Sequence, residues 1–119
     1  MKRSKKITLG ILVLALWFLP VSEGVAKSLE DGVRFLKQVE NVEWYRVDGQ
    51  NIIIGWRRVP DNFYDWNHKT AVNASKSSLY KVYVWSVRSR YKDWSPGEGG
   101  QFCITTAQMG RLGKSSCKN

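Results

Sequence analysis

Histidine occurs once in this chain of 119 residues, and cysteine twice. One imidazole and two thiols do not make the ligand set of a zinc or iron site, and no C-x-x-C or H-E-x-x-H pair sets them at ligand spacing. Acids are scarce too, with 10 Asp and Glu against 19 Lys and Arg. Asp61 and Asp65 are candidates for a hard cation, but the Asp-rich spacing of a calcium loop is missing. The chain also lacks a G-x-S-x-G nucleophile turn and a phosphate-cradling glycine loop. No metal and no cofactor is expected. Prolines number three; there is no internal repeat, Pro-rich linker or low-complexity tract to divide the chain into two domains.

A long apolar run is missing as well. The greasiest stretch, Ile7 to Leu19, falls short of the roughly 20 residues that span a bilayer as a helix. Its setting is informative. Lys2, Arg3, Lys5 and Lys6 precede it, Pro20 ends it, and small residues lead to Gly24-Val25-Ala26. Cations, then an apolar segment, then small residues is the order of a secretory signal peptide; the rival reading is an uncleaved anchor. Residues 1–26 are therefore expected to be removed, with cleavage after Ala26 or Gly24, and 27–119 to form a single domain outside the cytosol, periplasmic or secreted.

That domain keeps 15 Lys and Arg against 9 Asp and Glu, a net charge of +6. A basic exported domain meets anionic envelope surfaces, glycans and phospholipid head groups before nucleic acid, which export sets aside as a partner. Cys103 and Cys117 both fall within it. Two thiols in an oxidising compartment most simply form one disulfide, worth about 3 kcal/mol for a loop of this size.

The patterning predicts an α+β domain in the order α-β-β-α-β-β. Ser28 to Asp31 reads as a helix start, and Leu29, Val33, Leu36 and Val39 or Glu40 follow with helical spacing to about Glu40. Val42–Val47 and Asn51–Trp56 flank Asp48-Gly49 as a hairpin. The run Ile52-Ile53-Ile54 suggests a central strand covered on both faces. Asp61 can cap a second helix whose stripe is Phe63, Trp66, Thr70 or Ala71, and Ala74, ending in the Ser75–Ser78 stretch. Tyr80 to Val87 reads as a second central strand. Ser95 to Gly100 is loop, Gln101 to Ala107 a last strand, and Gly110 and Gly113 make the tail irregular. About four strands in an antiparallel or mixed sheet with two helices packed on it satisfy this order.

Three patterns could carry function. His68 has Asp65 three residues earlier on the same helical face. Such a pair can orient an imidazole for base work, with Cys103 or a serine as nucleophile; this is the small hydrolase or thiol-enzyme reading. Asn73-Ala74-Ser75 is a glycosylation sequon in a eukaryotic secretory route and a chance triplet elsewhere.

The third pattern is aromatic. Five Trp, five Tyr and three Phe fall among residues 27–119, and a small core needs most of them for buried area. Trp44, Trp66 and Trp85 are the expected core members. Trp56, followed by Arg57-Arg58, and the segment Arg88-Ser89-Arg90-Tyr91-Lys92-Asp93-Trp94 interleave rings with cations where exposure is expected. Exposed rings stack on sugars while guanidinium and ammonium groups hold carboxylates or phosphates.

The leading expectation is thus a non-enzymatic binding domain for an anionic glycan, lipid head group or acidic protein patch. The residues concerned are Trp56, Arg57, Arg58, Arg88, Arg90, Tyr91, Lys92 and Trp94. An exported protein–protein partner, such as an inhibitor or a small subunit of an envelope assembly, is the alternative.

Overall fold

A computed structural model describes residues 29–117. The expected leader and Ser28 lie outside the described residues. Helix α1 covers residues 29–38, α-helical at first and tightening to a 3-10 turn over Arg34–Gln38. Next come β1 (Val42–Asp48), β2 (Asn51–Trp56), helix α2 (Phe63–Ser75), β3 (Val82–Arg88), β4 (Cys103–Gln108) and β5 (Arg111–Ser115). The strands form one sheet in the order β1-β2-β3-β4-β5. All neighbours are antiparallel except β2 and β3, which run parallel because α2 carries the chain back between them.

The fold is α+β with two helices, as expected, but the sheet has a fifth strand. Gly110 and Gly113, which read as breakers, build it. Met109 and Gly110 both have positive φ, 53° and 79°. They form the two-residue connection between Gln108 and Arg111, which pair in register; positive φ at both central residues is the hairpin geometry of a type I′ turn. At Gly113 a Cβ would lie 2.6 Å from Thr106 Oγ1 across the strand pair.

The first hairpin turns on Gly49, at φ 60°, with Asp48 and Asn51 closing it in register. The triple isoleucine behaves as its composition implies. Ile52 and Ile54 face the helices, packed with Leu29, Val33, Leu36, Ala71, Ala74, Val82 and Val84. Ile53 faces the other way and packs with Val87, Trp94, Trp44 and Trp85 under the loop that follows β3.

Two glycines mark close approach. A Cβ on Gly32 would sit 2.9 Å from the Asn73 carbonyl oxygen, so α1 crosses α2 at backbone contact. A Cβ on Gly55 would sit 2.2 Å from Trp44 Cε2; the bare backbone makes room for the indole that lies over it. Asp61 does not cap α2. The N-cap is Asn62, without a side-chain bond. The helix ends at Ser75, at the start of the serine-rich stretch. The sequon triplet lies inside α2, with Ala74 and Ser75 buried.

Candidate anion-binding groove

The ends of β2 and β3 bring the basic pairs together. Trp56 and Arg88 are register partners, and the Ser89 amide donates to the Trp56 carbonyl at 2.9 Å, so the strands stay side by side as they leave the sheet. Because they run parallel, both carboxyl ends deliver cations to the same pole: Arg57 and Arg58 from one, Arg88 and Arg90 from the other. With Trp56, Val59, Ser89 and Phe102 they line an open groove of about 540 Å³.

The four guanidinium groups are held differently. Arg57 Nε meets Glu43 Oε1 at 3.3 Å. The Arg88 guanidinium lies over the Phe102 ring, 5.4 Å from its centroid. Arg90 lies 5.1 Å from the Tyr91 centroid and donates to the Tyr91 hydroxyl at 3.2 Å. That bond, with the charges of Arg90 and then Arg88, holds the Tyr91 phenol below the ordinary tyrosine value. Arg58, Arg88 and Arg90 have no carboxylate partner among the described residues.

The remaining sequence candidates fall elsewhere. Trp56 and Trp94 were expected to be exposed, yet they are 1% and 4% exposed, on opposite faces of the sheet. Trp44, Trp66 and Trp85, the expected core members, are only half-buried. Both buried indoles have their N–H satisfied. Trp56 Nε1 donates to Ser86 Oγ at 3.0 Å. Trp94 Nε1 donates to the Gly99 carbonyl at 2.7 Å within its own loop. Arg46 ties down that loop by donating to the Lys92 carbonyl at 2.8 Å and to the Trp94 carbonyl. Lys92 therefore sits beside Arg46 on the loop-covered face, away from the groove. Neither buried indole can offer a ring to a sugar.

Behind Trp56 runs a buried polar chain that the sequence reading missed. Ser86 Oγ donates to Asn67 Oδ1 at 2.7 Å. Asn67 Nδ2 donates to the Val84 carbonyl at 3.1 Å and to Thr105 Oγ1 at 2.7 Å. Asn67, Ser86 and Thr105 are fully buried, and among the described residues no buried side-chain nitrogen or oxygen lacks a partner. Asn67 falls four residues after Phe63 and seven before Ala74, on the apolar stripe of α2; that spacing was the available signal.

The chain emerges at His68. Ser115 Oγ lies 2.9 Å from His68 Nε2 and 2.9 Å from Thr105 Oγ1, and accepts the Cys117 amide at 3.1 Å. Ser115 thus clamps β5 to α2. His68 bonds to Ser115 rather than to Asp65, which has no hydrogen bond to it among the described residues. Cys103 and Cys117 form a disulfide, which removes the thiol nucleophile. Among the described residues no three His, Cys, Asp or Glu side chains gather as metal ligands, Asp61 and Asp65 included.

The class defined so far is a small α+β domain with a mixed five-stranded sheet, one disulfide and an arginine-lined groove. No protein-family model, curated protein or solved structure matches the chain. The disulfide is compatible with a periplasmic or extracellular location, and no helix among the described residues is long and apolar enough to cross a membrane.

Proposed function

We propose that this is an exported, non-enzymatic domain that binds an anionic glycan through the groove at the carboxyl ends of β2 and β3. One observation carries the reading: parallel pairing places Arg58, Arg88 and Arg90 around one opening with no carboxylate among the described residues to neutralise them. Guanidinium groups fit carboxylates and phosphates in a planar, two-pronged geometry, and Arg is less strongly hydrated than Lys when it pairs. The pole outside the carboxyl ends of parallel strands is where open sheets commonly bind ligands.

The burial of Trp56 and Trp94 changes the expected mode of binding. Charge and hydrogen bonding dominate, because the phenyl ring that lines the groove, Phe102, already carries the Arg88 guanidinium. Such binding weakens with salt, because exposed charges are screened within about 10 Å at 0.1 M ionic strength.

Calorimetric titration with polygalacturonate, a carboxylated polysaccharide, tests this directly. The wild type is expected to bind with strong salt dependence, and Arg58→Ser/Arg88→Ser/Arg90→Ser to lose binding. Equal binding by both proteins, or none by the wild type, overturns the reading. An acidic protein as ligand would instead be retained from an envelope extract by the wild type and released by the triple variant, without polygalacturonate binding.

A further inference from the structure

At the other pole of the sheet, where β3 begins and β4 ends, large apolar side chains stand in solvent. Leu79 is 71% exposed, Tyr80 61%, Met109 60% and Leu112 47%. They come from the α2–β3 connection and the β4–β5 hairpin, which are fastened together. The Met109 amide donates to the Ser78 carbonyl at 3.2 Å, and the Gly110 amide to Ser75 Oγ at 3.0 Å. Gln108 Nε2 donates to the Leu79 carbonyl at 2.5 Å. Ser78 Oγ donates to the Tyr80 carbonyl at 2.8 Å. The backbone is pinned while the side chains point out.

Met109 is the telling residue. It occupies a position with φ 53°, where Asn, Asp or Gly is the usual choice. A bulky apolar residue is held in a disfavoured backbone conformation and left in water. Strain of this kind persists where it serves something beyond the fold.

Cations surround the tip. Lys81 and Arg111 line its side together with Met109 and Leu112, and Lys76 lies against Gly110. None of these has an acidic partner among the described residues; of the acids near this pole, Asp48 closes the β1–β2 turn on the far edge of the sheet, and Asp31, beside the Gly32 contact with the end of α2, pairs with Arg34.

We infer that this pole docks on an anionic phospholipid bilayer. Leu79, Met109 and Leu112 enter the interface, Tyr80 lies at headgroup depth, and Lys76, Lys81 and Arg111 meet the lipid charge. An exposed apolar tip ringed by cations fits the headgroup boundary, where apolar burial and charge attraction add. The arginine groove then points away from the membrane, because β3 runs from the tip to Arg88.

Co-sedimentation of the purified exported chain, with the leader (residues 1–26) removed, with phosphatidylglycerol–phosphatidylcholine vesicles tests the inference. Leu79→Ser/Met109→Ser/Leu112→Ser, all exposed positions, is expected to lose binding. Lys81→Ser/Arg111→Ser is expected to weaken it about fivefold per cation, as about 1 kcal/mol for each Lys or Arg near an anionic surface implies. Arg58→Ser/Arg88→Ser/Arg90→Ser is expected to bind as the wild type, which separates this inference from the groove. Undiminished binding by the apolar variant, or equal binding to pure phosphatidylcholine, overturns it. So does a wild-type dimer that the apolar variant dissociates while vesicle binding is absent, since a second copy would then be the occupant.

Discussion

Trp56 and Arg88 are register partners on parallel strands, so the last residue of β2 and the last residue of β3 lie side by side. The consequence reaches both inward and outward. Inward, Trp56 is anchored through Ser86 to Asn67. Outward, Arg57 and Arg58 follow β2 while Arg88 ends β3 with Arg90 two residues on, and all four share one groove. The polar chain beneath the sheet therefore fixes the floor on which the cations stand.

Replacing Asn67 by Ala is expected to cost about 3 kcal/mol, because Ser86, Thr105 and the Val84 carbonyl lose a buried partner together. Urea unfolding monitored by tryptophan fluorescence measures it. A loss well under 1 kcal/mol would mean that water or rearrangement satisfies these groups without Asn67.

Gly55→Ala forces a methyl group into the Trp44 indole, and overpacking of this kind costs about 2 kcal/mol. Trimming the indole should relieve it, so Trp44→Leu/Gly55→Ala is expected to be more stable than the two single costs added together. Gly32→Ala has no such rescue, because the atoms in its way are the backbone of α2. Thermal melts of the three variants and the double variant decide the matter; strict additivity at positions 44 and 55 would contradict the geometry.

Tyr45 connects the sheet to α1 by donating to Glu30 Oε1 at 2.8 Å. Burial, then that bond and the Glu30 charge, push its phenol up from 10.0 to about 12. A raised value means that the folded protein holds the proton more tightly than the unfolded chain. The stability this contributes is complete below pH ~10 and drains away as pH climbs towards ~12. Tyr45→Phe should lack this alkaline loss. Identical alkaline stability profiles for the two proteins would count against the coupling.

The parts of the fold that read correctly from the sequence are those where composition and period agree. Ile52-Ile53-Ile54 is buried on both faces, and Cys103 and Cys117 are joined. The misreadings share a physical cause, namely partners distant in sequence. Gly110 and Gly113 look like breakers until the opposing strand is known; one turns the hairpin and the other clears Thr106. Trp56 and Trp94 look exposed because arginines and turn residues surround them, yet each N–H has an interior acceptor supplied by another segment or by the folded loop. The arginine pairs were visible as pairs. Only the parallel registration of β2 with β3, set by α2 lying between them, makes them neighbours.

The groove can be tested residue by residue. Amide chemical shifts of the labelled protein, followed during titration with inorganic phosphate, report where an anion sits. Saturable shifts at Arg58, Arg88, Ser89 and Arg90, abolished by Arg88→Ser/Arg90→Ser, are the predicted result. Shifts confined to Lys76, Lys81 and Arg111, or shifts spread evenly over all basic residues without saturation, would contradict the assignment of the anion site to this groove.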